Sequence, residues 1–93
     1  MDLRIGIGEY RKEKNKYIVP ENGKVFLVVN KNTIEVRTDE RLGKLLIEKY
    51  ESVMRSRYFG KGGIEVVDSG QLEKAELEDL IRLSYNLTRE IKE

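Results

Sequence analysis

The first half of the chain shows the two-residue alternation of apolar and polar positions that is typical of β-strands. Segment Leu3–Ile7 alternates aliphatic residues with arginine and glycine, and Tyr17–Val19 is a short apolar run, so each predicts a strand. Residues 9–16 between them are mostly charged and predict an exposed loop. Pro20–Gly23 predicts a turn, because proline presets one dihedral angle and Asn-Gly tolerates positive φ.

The clearest predicted element is a hairpin made of Lys24–Asn30 and Thr33–Thr38. If Lys31 and Asn32 form the connection, aliphatic side chains of the two strands face one another on one side of the ribbon. The opposed pairs are Val29 with Ile34 and Leu27 with Val36. Lys-Asn is not a favoured hairpin turn, so a three-residue loop is the alternative connection.

The second half shows helical spacing in two places. A first helix is predicted to begin at an N-cap Thr38 and to end in the glycine-rich segment Ser56–Gly63. Its predicted apolar stripe, which Ile47 and Met54 widen, consists of Leu42, Leu45, Leu46, Tyr50 and Val53. A strand at 64–68 and a second helix at about 73–91 follow, and helical spacing predicts that the inner side of this second helix carries Leu77, Leu80, Ile81, Ser84, Tyr85, Thr88 and Ile91. The order β-β-β-β-α-β-α predicts one α+β domain over residues 1–93, with an antiparallel sheet packed against helices on one face.

The residues that the chain lacks narrow its function. It contains no cysteine and no histidine, so a thiolate nucleophile, the usual general base near neutral pH and the commonest zinc ligand are missing. Lys61 in Gly-Lys-Gly-Gly lacks the spacing of a phosphate-binding P-loop. Glu35, Glu65 and Asp68 are assigned structural or surface roles. We therefore expect no enzyme activity, no cofactor, no bound metal and no small-molecule substrate.

Size and hydropathy favour a soluble domain. The chain has 93 residues, of which 39% are hydrophobic and 38% charged. No apolar run approaches the roughly 20 residues that span a bilayer. Met1–Arg4 lacks the basic and apolar regions of a secretion signal. We expect a cytoplasmic location and no membrane partner.

Charge is unevenly distributed along the chain, although the net charge is only +1. Residues 1–62 contain 14 basic and 9 acidic side chains, whereas residues 63–93 contain 4 basic and 8 acidic ones. Such an asymmetry is typical of a nucleic-acid face. The alternative is that the last helix simply presents an acidic, solvated face.

The candidate nucleic-acid patch lies between the two predicted helices. Arg55, Arg57 and Lys61 flank Tyr58 and Phe59, so cations that neutralise phosphates would stand beside rings that stack on bases. The alternative is that the two aromatic side chains plug the core while the basic side chains cap the C-terminal end of the first helix.

Further basic side chains belong to the predicted sheet. Lys31 at the hairpin tip would act as a wing near a groove, although hairpin tips are generally polar. Arg37 is expected beside Phe26 on the outer face, as a readout surface or as a cation–π pair that shields the sheet. The charged loop supplies either a phosphate-contacting arm or a solvated surface through Arg11, Lys12, Lys14 and Lys16.

The order of these segments resembles the MmcQ/YjbR family over roughly residues 17–90. The matching segments are Gly23–Phe26, Ile34–Arg37, Glu48–Val53, the glycine-lysine loop at Gly60–Gly63 and Leu80–Tyr85. Members of that family are commonly described as predicted DNA-binding proteins with wing-like hairpins, so the resemblance implies a two-layer fold and a DNA role. The chain differs in carrying Ile64 where the family usually has tryptophan, and Leu3–Ile7 in place of a first helix.

These observations together predict a small non-catalytic domain that binds DNA through a basic face. The alternative is a protein–protein interaction module without a nucleic-acid role, in particular a homodimer. The broad apolar surface of the first helix favours that alternative, because association would cover it.

Overall fold

A six-stranded antiparallel sheet with two helices on one face forms the framework, in a computed structural model that describes residues 5–91. The elements are β1 (Arg11–Glu13), β2 (Lys16–Val19), β3 (Lys24–Val29), β4 (Thr33–Arg37), α1 (Glu40–Lys49), β5 (Val53–Ser56), β6 (Gly60–Val67) and α2 (Lys74–Arg89). The strand order across the sheet is β1-β2-β3-β4-β6-β5. The predicted α+β class and the packing of helices on one face are confirmed.

The predicted central hairpin is present with the predicted register. Strands β3 and β4 pair Leu27 with Val36 and Val29 with Ile34. The N–H of Asn30 donates to the carbonyl of Thr33 at 2.8 Å, so the connection is the two-residue one. The turn before β3 is also confirmed, because Gly23 has a φ of +70° and its N–H donates to the carbonyl of Val19.

The hydrophobic core lies between the sheet and the helices. Helix α1 packs on β5 and β6, whereas α2 packs on β3 and β4 with a smaller contact to β2. The inward side chains of the central strands are fully buried, namely Leu27, Ile34, Val36, Ile64 and Val66. Helix α2 contributes the side chains that its spacing predicted, among them Ile81, Ser84 and Tyr85. None of the helices in residues 5–91 is long and apolar enough to cross a membrane.

A bulge in β3 reverses the direction of one aromatic side chain. Two adjacent residues of β2 pair with the residues on either side of Phe26, so Phe26 is the extra residue of β3. Its ring faces α2 and lies 5.0 Å from the ring of Tyr85, centroid to centroid. The prediction that Phe26 lies beside Arg37 is therefore wrong. Arg37 stacks on Phe59 instead, with 4.7 Å between the guanidinium carbon and the ring centroid.

Two predictions for the N-terminal segment are wrong. Leu3 lies outside the described residues, and 5–7 form no strand. Instead the segment follows α2, where Arg82 Nε donates to the carbonyl of Ile5 at 2.7 Å and Tyr85 Oη donates to the carbonyl of Glu9 at 2.8 Å. The charged stretch 9–16, predicted as a loop, contains β1 and the start of β2. The side chains of β1 are nevertheless exposed, as predicted.

The first helix is shorter than predicted, and part of its predicted length forms a strand. Its N-cap is Asp39 rather than Thr38, since the Asp39 carboxylate accepts a hydrogen bond from the N–H of Leu42 at 2.8 Å. The helix ends at Lys49, and residues 53–56 form the edge strand β5. Leu45, predicted to be buried, is 56% exposed.

Candidate nucleic-acid interface

The sheet face opposite the helices, called the open face below, carries two buried carboxylates at its centre. Glu35 of β4 and Glu65 of β6 are direct neighbours in the strand register. Each residue is only 3% exposed. The turn between β5 and β6, residues 57–59, lies over them and binds both carboxylates, as the following contacts show.

Glu65 holds the turn through a bidentate ion pair. Arg57 Nε donates to Glu65 Oε1 at 3.0 Å, and Arg57 Nη2 donates to Glu65 Oε2 at 2.8 Å. Thr33 Oγ1 donates to the same Oε2 at 2.6 Å. The Arg57 side chain remains 76% exposed, so it covers the carboxylate and also faces solvent. Planar two-point pairing of this kind fixes geometry as well as charge.

The Glu35 carboxylate binds the turn through a backbone N–H of the turn and through the hydroxyl of Ser56. One carboxylate oxygen, Oε1, accepts hydrogen bonds from Ser56 Oγ at 2.8 Å and from the N–H of Tyr58 at 2.9 Å. The other oxygen accepts from Asn30 Nδ2 at 2.9 Å. Ser56 Oγ in turn accepts from the N–H of Phe59 at 2.8 Å. The backbone of the turn is therefore fixed independently of the Tyr58 ring.

Hydrogen bonding keeps both carboxylates ionised despite their burial. Burial acts to raise the pKa of Glu35, but hydrogen bonds from Asn30, Tyr58 and Ser56 outweigh it, and the pKa lies below its ordinary value. The pKa of Glu65 is also lowered, chiefly by the hydrogen bonds from Arg57, against the opposing effects of burial and of the neighbouring Glu35 charge. Their geometry makes both groups anchors for the turn.

The turn places a combined cationic and aromatic surface on the open face. Tyr58 is 47% exposed, its ring meets that of Phe59 edge-on, and Lys16 Nζ lies 5.7 Å from the Tyr58 ring centroid. Arg37 stacks on Phe59 and donates from Nε to the carbonyl of Val25 at 2.9 Å. Partial burial lowers the pKa of Arg37. We call Lys16, Arg37, Arg57, Tyr58 and Phe59 the cation–aromatic surface.

Gly63 makes room for this arrangement. A Cβ at this position would meet the backbone oxygen of Val36 and would stand 2.7 Å from the Cβ of Phe59. Because Gly63 has no side chain, Phe59 can lie directly against β6, where Arg37 stacks on its ring.

The five predicted site residues occupy three places. Arg37 and Arg57 lie on the open face. Arg55 and Lys61 line a cleft of about 380 Å³ between α1 and the β5–β6 end, together with Lys44 and the carboxylates Glu40 and Glu48. Lys31 is exposed at the tip of the β3–β4 hairpin. It lies six residues along the chain from Arg37, or about 20 Å at strand spacing.

The alternative assignment of the aromatic side chains is wrong. Tyr58 and Phe59 lie on the open face rather than in the core, and α1 ends too early for residues 55–61 to cap it. The sequence predicts Lys16 in a loop and separate structural or surface roles for Glu35 and Glu65, whereas the structure places Lys16 in β2 and the two glutamates side by side. Once the strands are paired as in the structure, the alternation of β2 places Lys16 on the open face. The pairing of β4 with β6 likewise places Glu35 beside Glu65.

Comparisons with known proteins add the fold and no function. No protein-family model matches the sequence, and no curated protein matches it. A crystal structure of a protein from Pseudomonas syringae, a structural genomics target, matches with a TM-score of 0.71 and 19% sequence identity. The match covers 89% of this chain and 85% of that one, so the two share a fold. Among residues 5–91, no cluster of three or more acidic side chains is suited to hold a metal ion.

Proposed function

We propose that this domain binds DNA through the cation–aromatic surface, without catalysis. The observation that carries the proposal is the exposed ring of Tyr58 on the helix-free face of the sheet. Lys16 lies beside this ring, and the preceding residue, Arg57, has an exposed guanidinium. Aromatic rings on an open sheet stack on unpaired bases, and nearby cations neutralise phosphates. This combination favours single-stranded DNA over a duplex, in which the base faces are covered.

The electrostatics of the open face support the same function. Its two carboxylates are buried under the turn and occupied by donors, whereas Arg57 is exposed and Lys16 lies beside the ring. A guanidinium has five N–H groups, and Arg57 uses two of them on Glu65, so further donors face solvent. A phosphate therefore meets cations first and the carboxylates only behind them.

The remaining predicted basic residues extend this surface in the proposal. Arg55 and Lys61 lie around the same β5–β6 end as the turn, so a strand leaving the open face would pass them at the sheet edge. Lys31, at the tip of the β3–β4 hairpin, lies too far from Arg37 to share the same contact and forms a separate, wing-like position in the proposal. The resemblance to the MmcQ/YjbR family, whose members are described as predicted DNA-binding proteins, agrees with a DNA role.

A salt titration with labelled DNA tests the proposal. We expect single-stranded DNA to bind at low ionic strength, with an affinity that falls as salt rises, and Lys16→Ala to reduce the slope by about one phosphate contact. Tyr58→Ala should weaken binding by about 1–3 kcal/mol, roughly 5-fold to 150-fold, if the ring stacks on a base. The turn should stay in place in this variant because Glu35 binds the backbone N–H of Tyr58, not its ring.

Matched controls separate the open face from general charge and aromaticity. Tyr10→Ala removes a tyrosine of similar exposure, 41%, that packs with the core rings. Lys74→Ala removes an exposed cation at the start of α2, on the helix layer. Neither change should alter DNA affinity more than about twofold. Absence of salt-dependent retention of both single-stranded and duplex DNA would rule the proposal out.

A further inference from the structure

We propose that the groove between the two helices is a homodimer interface, in which α1 of one copy lies against α2 of the other. This inference goes beyond DNA binding and concerns the opposite face of the sheet. The groove has a volume of about 240 Å³ and is lined by Leu46 and Tyr50 of the α1 side, Leu72, Leu80 and Leu83 of the α2 side, and the carboxylates Glu76 and Asp79.

Two large apolar side chains at and beside this groove are exposed to solvent. Leu45, next to the groove on α1, is 56% exposed, and Leu83 on α2 is 36% exposed. A contiguous apolar patch with a polar rim is the usual mark of a docking surface. The two helices pack on different strands of the sheet, so the valley between them is open to a partner.

The charges on the two sides of the groove have opposite sign. On α1, Arg41 and Lys49 stand four residues before and after Leu45, hence on the same helical side. Lys49 Nζ lies 5.2 Å from the ring centroid of Tyr50, which places it at the groove margin. On α2 the rim is acidic, with Glu76 and Asp79 lining the groove. Asp79 also pairs with Arg82, at 2.5 Å.

This charge pattern selects a second copy and one orientation for it. With a twofold axis parallel to the groove, the basic rim of α1 in each copy faces the acidic rim of α2 in the other copy. The dimer then contains two equivalent contacts between oppositely charged rims. A twofold axis across the groove would instead oppose like charges, which is unfavourable. Leu45 then enters the partner's groove beside its Leu83. The open faces point away from each other and stay accessible in such a dimer.

Sedimentation velocity across the micromolar range tests the interface. We expect a reversible monomer–dimer equilibrium for the wild-type chain, and a dissociation constant raised at least tenfold by Leu45→Glu. Because Leu45 is already mostly exposed, this change should leave the fold intact, which circular dichroism checks. Met54→Glu, at a site 39% exposed on β5 and outside the groove, is the matched control and should leave the dimer unchanged.

A charge-reversal pair tests the orientation. Lys49→Glu and Glu76→Lys should each be monomeric alone, because each creates two like-charge contacts across the twofold axis. An equal mixture of the two variants should form a heterodimer, since Glu at 49 then meets Lys at 76 and the other rim keeps its original pair. A strictly monomeric wild type, or a mixture that stays monomeric while Leu45→Glu weakens the dimer, would overturn the proposed arrangement. Loss of DNA binding would not affect either result.

Discussion

Ser56 is the residue on which the geometry of the β5–β6 turn most directly depends. Its hydroxyl donates to Glu35 and accepts from the N–H of Phe59, both at 2.8 Å, and the side chain is buried. The substitution Ser56→Ala removes one oxygen atom and no packing volume of consequence. It leaves a buried carboxylate with one donor fewer and a backbone N–H of the turn without its acceptor.

The magnitude follows from these two lost bonds. A hydrogen bond to a charged group contributes about 1.5–3 kcal/mol, and one between neutral groups contributes about 0.5–1.5 kcal/mol. Glu35 retains its bonds from Asn30 and Tyr58, and only the turn separates it from solvent, so the lower half of the sum applies. We expect a loss of about 2–3 kcal/mol in the free energy of unfolding. A 93-residue domain has a total of about 5–14 kcal/mol.

Urea denaturation followed by circular dichroism measures this loss. The midpoint should fall while the dependence of the unfolding free energy on denaturant stays unchanged, because the same surface is exposed on unfolding. In a thermal melt the same loss lowers the midpoint by roughly 10–20 °C. Ser69→Ala, at an exposed serine after β6, is the control and should change stability by less than about 0.5 kcal/mol. An effect of Ser56→Ala no larger than that of the control would refute the anchoring role.

Two further predictions concern the same face. The free energy of unfolding should decrease as the pH falls below about 4.5, the ordinary pKa of a glutamate carboxyl group. Glu35 and Glu65 have lowered pKa values in the folded state, so the unfolded chain binds protons at these two groups more readily and acid favours unfolding. The double variant with Gln at both positions should show a shallower decrease between neutral and acidic pH in urea titrations, and an unchanged slope would contradict this. Gly63→Ala should destabilise the fold by about 1–3 kcal/mol through its clash with the β4 backbone and Phe59. Gly62→Ala is its control, since a Cβ there would lie 3.5 Å from the Phe59 carbonyl oxygen, an ordinary contact, and melting midpoints of the two variants should differ accordingly.

Local pattern was sufficient for the elements whose side chains alternate cleanly. The β3–β4 hairpin has the predicted register because a shift by one residue would turn Leu27, Ile34 and Val36 away from the core. Helix α2 has the predicted inner side because its apolar positions keep one helical spacing over four turns. In α2 this spacing accounts for every buried residue, and in the hairpin the alternation accounts for Leu27, Ile34 and Val36.

The predicted secondary structure is wrong where the same residues fit both a helical and a strand periodicity. It is also wrong where strand pairing decides which way a side chain points. Tyr50 and Val53 continue the helical spacing of α1, yet Val53 also fits a strand, and pairing with β6 makes it one. The bulge at Phe26 depends on how β2 pairs with β3, which no single strand reveals. Strand β1 has exposed side chains throughout, so it has no apolar alternation to detect.

The candidate site was predictable in its residue types but not in its arrangement. The sequence indicates Arg57, Tyr58 and Phe59 because these cations and rings are adjacent in the chain, whereas it indicates Arg37 only through an expected pairing with Phe26 that the bulge prevents. Their placement on the open face depends on Glu65, which binds Arg57 from eight residues away in the chain. Pattern alone does not show that contact, since the turn has to fold back over its own sheet before the two groups meet.

This folding back links the stability of the turn to the proposed binding surface. Burial of the two carboxylates is unfavourable because it removes them from water, and the hydrogen bonds from the turn offset this cost. These bonds are strongest to the ionised groups, so the turn is held most firmly when both carboxylates are ionised. Protonation of Glu65 would weaken its hold on Arg57 and loosen the support under Tyr58. The position of the exposed ring is therefore coupled to groups beneath it that DNA need not touch. Substitutions at Glu35 or Glu65 should then weaken DNA binding even at neutral pH, by disordering the surface rather than by changing its exposed cations.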